Sequence, residues 1–479
     1  MESYQNQPLF AQLDQSIQYI QEVAQSTSDL LVNRFLLSGI PAALLCCEGM
    51  HSTATITELI LRPITQVQLE HPTAQNLLQY IEMRQLYSTE TYGELFRFLN
   101  SGFAVLLIDG AAKALTFGVQ GYDKRGVSEP FGEGNLMGAQ DAFIEVVRVN
   151  MSLLRRRMKS PYLKMKLFVK GEKSQTDLCL CYMYDRVPKK LLKQIQAQLD
   201  EMELETILSI GYVQPFLENR RGGIFDAVGT TQRPDVLCAK LLEGRVALLI
   251  DGSPFALVIP KLFNENFQTM DDYCLKPYYA TFIRWLKFIA FLMAVLLPAL
   301  YLAIALHHPE LLNRTLLLIL AEAEEQAPFS LTAEAIGITL AYEIVREAGL
   351  RLPKAVGGAV SIVAGLIIGD AAVASGLIST PLLTVTALAV ISGFVVPDLN
   401  QAITILRLAF LLAAGLFGLF GISLLGAVVL FNLCATETFG FPITAPISPF
   451  RKKAMRDIIT RVSFRKMQSG QFTVEEYHE

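Results

Sequence analysis

Histidine is scarce in this chain, five in 479 residues, and tryptophan occurs once. No two histidines hold the i, i+4 spacing of a helical zinc protease, and His307-His308-Pro309-Glu310 is not such a pair. A glycine-rich phosphate loop and a nucleophile elbow are also missing. The reading is therefore of a protein that is not an enzyme and carries no cofactor. Charged residues make up only 18% and the net charge is -4, so no basic face for nucleic acid is expected. The seven cysteines (Cys46, Cys47, Cys179, Cys181, Cys238, Cys274, Cys434) are odd in number and lack the paired spacing of a zinc site. They read as buried, reduced thiols of a cytoplasmic protein, with Cys179 and Cys181 on one face of a strand. Met1 to Asp29 is glutamine-rich and polar where a signal peptide would need an apolar stretch, so export of the first half is not expected.

What the chain has instead is apolar sequence, concentrated in its second half. Trp285 to Leu306, Ala355 to Leu377, Leu382 to Val396 and Leu408 to Cys434 are each long enough, or nearly so, to cross a hydrocarbon layer as a helix. Four spans are expected. Lys276, Arg284 and Lys287 precede the first, and Arg451, Lys452, Lys453, Arg456, Arg461, Arg465 and Lys466 follow the last. That bias puts both ends on the cytoplasmic side and requires an even number of spans. Between the first two runs, Leu311 to Gly349 carries Glu322, Glu324, Glu325, Glu334, Glu343, Arg346 and Glu347. So many charges cannot face lipid cheaply, so this stretch reads as interfacial helices or the lining of an aqueous vestibule. Its acidic residues form either a cation-attracting mouth or a solvated face.

The first half contains a repeat. Leu99-x-x-Gly102-x-x-x-Leu106-Leu107-Ile108-Asp109-Gly110-x-x-x-Ala114-Leu115 recurs as Leu241-x-x-Gly244-x-x-x-Leu248-Leu249-Ile250-Asp251-Gly252-x-x-x-Ala256-Leu257. Each copy reads as a helix stopped by glycine, a buried strand, a tight Asp-Gly hairpin turn and a returning strand. Asp109 and Asp251 are turn residues or ligand contacts. Leu44-Leu45-Cys46-Cys47-Glu48-Gly49 is a weaker third echo. Strands at Lys164 to Val169 and Leu178 to Tyr184, then a helix from Lys189 to Glu203, open the second copy. Phe10, Leu13, Ile17, Ile20 and Ala24 share one face of an N-terminal helix, which clasps its own chain or docks elsewhere. Arg155, Arg156 and Arg157 are a subdomain contact, a solvated face or an anion site.

The fold class expected is an α+β soluble module of two related α/β subdomains followed by an all-α multi-span membrane domain. Its divisions are an amphipathic helix at 1–27, subdomains at 28–150 and 151–280, a transmembrane domain at 281–440 and a basic cytoplasmic tail at 441–479. Within the span 356–376, Gly358, Gly365, Gly369, Ala372 and Gly376 fall on one helical face. Gly365-x-x-x-Gly369 is a close-packing pattern of membrane helices. Val356, Val360, Val363, Ile367, Asp370 and Ala374 fall nearly opposite. With the glycines packed on a neighbour, Val360, Val363 and Ile367 would form a hydrophobic gate and Asp370 a cation-selecting ring. In the alternative, Asp370 pairs with Arg407 or caps a backbone inside the bundle.

Together these residues resemble the A subunit of the spore germination receptors, the GerA family. The resemblance rests on Thr231, Arg233, Pro234 and Asp235, on Leu241 to Val246, and on Asp251, Gly252, Pro254, Leu257 and Pro260. Asp272-Tyr273, Leu297 to Tyr301, Pro328-Phe329, Arg346 to Pro353, Ala359 to Val363 and the arginine-rich Asn150 to Met158 continue it. It covers about 28 to 450. The chain departs from the family pattern at Asp370, usually glutamine, and at Leu136-Met137-Gly138-Ala139, usually Arg-Gly-Pro. The first departure is shared with the stage V sporulation AF branch, which stays an alternative.

The resemblance implies a nutrient-responsive receptor of the inner spore membrane. Its A subunits form a ring, a pentamer, around an ion-conducting pore, beside a transporter-like B subunit and a lipoprotein C subunit. Nutrient binding is usually assigned to the B subunit. Two other readings stand beside it. A secondary transporter would use Asp370 as its coupling carboxylate, but there are few spans and no repeat among them. A scaffold that merely holds the B and C subunits would pass no current.

Overall fold

The computed structural model describes residues 4–25, 27–66, 86–121, 133–134, 137–218, 223–351, 369, 371–450, 454–463 and 465. The repeat becomes two lobes of the same topology. In the first, β1 (Leu30–Leu37), β2 (Ile40–Cys47), β3 (Leu86–Thr89), β4 (Ala104–Ile108) and β5 (Ala114–Phe117) form an antiparallel sheet in the order β1-β2-β4-β5-β3. In the second, β6 (Leu163–Lys170), β7 (Thr176–Met183), β8 (Gly229–Thr231), β9 (Val246–Ile250) and β10 (Ala256–Ile259) adopt β6-β7-β9-β10-β8.

Both faces of each sheet are covered, which explains why the central strands read as unbroken apolar runs rather than alternating ones. On one face of the first sheet lie α1 (Leu13–Ala24) and α2 (Tyr92–Leu99); a helical stretch over 53–66 covers the other. The second sheet carries α3 (Val147–Arg157) and α6 (Pro234–Leu242) on one side, and α4 (Lys189–Asp200) and α5 (Ile210–Leu217) on the other. The amphipathic face of α1 buries Leu13, Ile17, Ile20 and Ala24 on its own lobe, so it is an internal clasp.

The Asp-Gly connections are longer than the two-residue hairpins expected, running over 109–113 and 251–255. The reason is visible in the side chains. Asp109 Oδ1 accepts the Leu13 amide at the start of α1 (2.9 Å), and Asp251 Oδ1 accepts the Val147 amide at the start of α3 (2.9 Å). Each aspartate is a helix cap supplied from a distant turn, satisfying an amide with no partner inside its own helix.

The lobes meet through buried polar contacts. Arg155 on α3 donates to Asp29, just before β1, and to the Ser160 and Leu163 carbonyls. Lys164 donates to the Val23 and Pro161 carbonyls. Arg156 and Arg157 hold Asp141. The arginine cluster is therefore an internal clamp.

The second half is a helical bundle of α7 (Pro277–His307), α8 (Arg314–Gln326), α9 (Leu331–Arg351), α10 (Thr380–Phe394) and α11 (Asn400–Ala435). Among the described residues, α7 and the segment containing α11 are long and apolar enough to cross a membrane; α10 is apolar but shorter. The run Leu408 to Cys434, expected as one continuous helix, belongs to two helices. Gly418 has φ +59° and ψ -142°, and the chain reverses there. A Cβ on Gly421 would collide with the Ala413 carbonyl, eight residues back, so residues 400–417 and 419–435 form a helical hairpin. Glycine permits both the left-handed φ and the close approach.

The pairing of the helices gives their directions. Arg407 Nε donates to the Ala294 carbonyl (2.8 Å), and His307 lies against Gly415 and Gly418, so α7 and the first half of α11 run parallel, away from the lobes. α9 runs back: Thr332 packs on Gly415, while Arg346 donates to Asn400 (2.8 Å) and Thr404 (3.1 Å). The stretch expected at an interface or vestibule thus contributes a helix of the bundle. Glu334, Glu343 and Arg346 are turned inward and bonded to neighbouring helices, whereas Glu322, Glu325 and Glu347 stay exposed.

Both ends of the bundle return to the second lobe. Phe439 and Phe441, just beyond α11, are buried in that lobe's core, and the Phe263 amide donates to the Ile443 carbonyl (2.8 Å).

Candidate functional site

Thr231, Arg233, Pro234 and Asp235 are structural. Pro234 opens α6 as its first residue, where the missing amide costs nothing. The Thr231 hydroxyl donates to Glu133 (2.8 Å) and accepts the Arg233 amide (3.1 Å). Arg233 is 2% exposed; it grips Asp235 and donates to the Glu133 and Ala139 carbonyls. Burial pushes the Glu133 carboxyl up, and its bonds from Thr231 and Gln232 pull it back. Asp251 and Gly252 continue the same work, the Gly252 amide donating to the Glu145 carbonyl (2.7 Å). Pro254 lies in the connection that leads to β10. These residues together strap Glu133, Ala139, Glu145 and Val147 onto the second lobe.

The junction between lobe and bundle is built on Arg284, which is fully buried in α7. Its guanidinium donates to Asp272 (2.7 Å) from the last turn before α7, and to Asp457 (3.0 Å) from the C-terminal segment. Tyr273 donates its hydroxyl to Asp457 (2.7 Å), and the Arg461 guanidinium stands 5.6 Å from the Tyr273 ring centre. Lys287 donates to Thr269 (3.1 Å). Arg284, Lys287 and Arg461 were counted above as positive charges flanking the spans; they are internal instead, whereas Lys276, Arg456 and Arg465 are exposed. Asp457 carried no signal of this role in the sequence, whereas Asp272-Tyr273 stood out in the family pattern.

Inside the bundle, Glu343 and Arg346 of α9 form a pair (2.6 Å) against α11. Thr404 donates to Glu343 (3.2 Å), and Arg407 Nη1 stands 3.9 Å from the same carboxylate. Nearer the far end, Glu334 accepts the amide of Ser379, the residue that caps α10. Two members of the expected acidic mouth, Glu334 and Glu343, are thus buried in helix contacts, because each finds a donor on a neighbouring helix.

Val356, Gly358, Val360, Val363, Gly365, Ile367 and Asp370 lie outside the described residues. Of the two remaining glycines of that span, Gly369 has no atom within 4 Å of a built Cβ. Gly376 takes φ +71° in the turn that ends the short helix Ala372–Ala374. It stops that helix rather than extending a packing face.

A cavity at the contact of the two lobes, lined by Asp29, Cys47, Asn100 and Arg155 among others, has about 10 Å³, space for one water molecule. It cannot admit an organic nutrient.

A duplicated α/β module joined to an apolar helical bundle defines a class of two-part proteins with a large module ahead of candidate membrane helices. The chain belongs to the family described as Bacillus/Clostridium GerA spore germination protein, which it matches over residues 18–471. It is 33% identical to spore germination protein KA of Bacillus subtilis (strain 168) over 91% of this chain and 82% of that one. It is 32% identical to the uncharacterized membrane protein YfkQ of the same organism over 98% and 92%. Spore germination protein GerLA of Bacillus cereus is 30% identical over 92% of each. The crystal structure of the N-terminal domain of the A subunit of the Bacillus megaterium spore germinant receptor GerK3 aligns with TM-score 0.43 and 26% identity, over 53% of this chain and 97% of that one.

Proposed function

We propose that this chain is the A subunit of a nutrient-responsive germination receptor, and that copies assemble in the inner spore membrane around a gated ion path. The observation that carries this reading is the family match, which runs through both lobes and the bundle without a break in order. Transporter-like B and lipoprotein C subunits are its partners in this reading, with membrane lipid around the bundle. The lobes couple the signal to the helices.

The anchoring of both bundle ends on the second lobe supports an even number of crossings, with N- and C-termini on the cytoplasmic side. The crossings are α7, α9, the link from Arg351 to Ser379, α10 and the two halves of α11. Each half of α11 is about 26 Å long at 1.5 Å per residue, close to a hydrocarbon thickness. This revises the expectation of four spans but keeps its parity. The link carries the gate residues Val356, Val360, Val363 and Ile367, with Asp370 at one end, and the packing glycines Gly358 and Gly365; Gly369, in open space within the chain, is dropped from that face.

The test is the purified chain reconstituted in lipid vesicles, with copy number read by native mass spectrometry. A ring is expected, and Val363→Ala should raise ion leak severalfold. A monomer with no conductance in either form would defeat the pore reading and favour the scaffold.

A further inference from the structure

Several polar atoms in the bundle are buried without a hydrogen-bond partner. Among the described residues they include Glu334 Oε2, Ser379 Oγ, Thr386 Oγ1, Arg346 Nε and Arg407 Nη1. Their arrangement is ordered. Ser379, Thr386 and Gly393 recur every seven residues, two helical turns, and so lie on one face of α10. At one end this face meets Glu334, which accepts the Ser379 amide. At the other, Arg407 Nη2 stands 3.5 Å from where a Gly393 Cβ would be, with Glu343 and Arg346 beside it. The Thr386 hydroxyl lies between, about 10 Å along the helix from either end.

An orphaned buried polar atom is costly, because it gives up its hydrogen bonds to water and gains none. Proteins normally meet that cost with ordered water, which needs a polar site with two or more partners. Here such groups follow one another along one buried face of α10, from a carboxylate through a hydroxyl to a guanidinium. On the opposite face Leu388 and Ile391 are exposed and apolar, and the Thr384 hydroxyl is bonded to the Thr380 carbonyl.

We propose that the buried face of α10, where it meets α7, α9 and the first half of α11, is a hydrated path inside each chain. Its ligand is water. The path is a property of one chain and does not depend on assembly into a ring.

The test uses cysteine reactivity, because the thiolate is the reacting form and a dry apolar site suppresses it. Cys274 and Cys434 are exposed and are first replaced by serine. In the full chain in lipid vesicles, Thr386→Cys is compared with Ala389→Cys, a fully buried position on the same helix. The reagent is 2-aminoethyl methanethiosulfonate, read by peptide mass. Thr386→Cys should react roughly tenfold faster or more; equal rates overturn the proposal. Thr386→Val gives a second measurement. Loss of a hydroxyl that holds water lowers the melting temperature, whereas loss of a dry orphan raises it, and a rise also overturns the proposal. A chain that proves monomeric and non-conducting would sink the ring reading and leave both of these results standing.

Discussion

Asp109 and Asp251 stand at matching points of the two lobes, and each accepts the first amide of the helix that precedes its own sheet, Leu13 in one case and Val147 in the other, at 2.9 Å. The adjoining glycine amides repeat the symmetry, Gly110 donating to the Ala11 carbonyl and Gly252 to the Glu145 carbonyl. The internal repeat therefore preserves a contact between segments about 100 residues apart in sequence, which is a stronger constraint than a turn.

Asp109→Ala and Asp251→Ala should each cost about 1 kcal/mol of stability through loss of the cap. Thermal unfolding of the full chain in detergent measures it. The asparagine variants keep an acceptor and should recover most of the loss; equal damage from alanine and asparagine would deny the capping role.

The Arg155 and Asp29 pair, at 2.8 Å and 2% side-chain exposure on both partners, should behave as a buried ion pair does. Removing one partner, by Asp29→Asn or Arg155→Met, is expected to destabilise by about 3–5 kcal/mol, because the other charge stays buried alone. Removing both should cost less than the sum, and a double-mutant cycle in denaturant reads the coupling. Additive losses would mean that the two charges do not interact.

Burial alone would raise the Glu265 carboxyl, but Arg245 and Lys240 outweigh it and hold it down to about 2. A carboxyl lowered on folding gives stability that is present above its unfolded value and is lost as pH falls through the folded one. Between pH about 4.5 and 2 the second lobe should therefore lose on the order of 3 kcal/mol. Glu265→Gln should be less stable at neutral pH and should flatten the slope in that window. An unchanged acid profile would refute the assignment.

Lys164 works in the other direction. Burial first, and then the nearby Arg155, lower it to about 7. The unfolded chain binds the extra proton between pH about 7 and 10.5, so stability should rise across that range. Lys164→Met should remove this rise in a pH series of denaturant melts, and a slope that persists would point to another group.

Gly418→Ala would place a methyl group 2.9 Å from the His307 side chain at a left-handed φ, whereas Gly426 has no atom within 4 Å of a built Cβ. The first substitution should reduce the yield of folded chain severalfold, while Gly426→Ala should be neutral or slightly stabilising through helix propensity. Fluorescence-detected size exclusion of the membrane extract compares them. Equal yields would argue against a hairpin at Gly418.

Much of the architecture was legible because it is local or repeated. The Leu-Leu-Ile-Asp-Gly pattern announces two related lobes, and the spacing of Leu13, Ile17 and Ile20 announces the buried face of α1. The bundle was harder to read for two physical reasons. Leu408 to Cys434 is apolar throughout, so hydropathy cannot separate one long helix from two that turn at a single glycine. The charges of α9 looked costly because their partners, Thr404 and Arg407, are about 60 residues away in sequence. Arg284 and Lys287 misled similarly, since a charge flanking a span looks the same in sequence whether it faces lipid phosphate or a carboxylate.

The C-terminal clasp has a bearing on the order in which the chain is made. Arg284 enters α7 early in synthesis, but Asp457, one of its two carboxylate partners, emerges 173 residues later. Until then the root of the first long helix holds a guanidinium with one partner supplied and one still to come. The junction between lobe and bundle can close only after every described helix of the bundle has been made. A chain cut before Asp457 would leave that guanidinium with Asp272 as its remaining carboxylate partner.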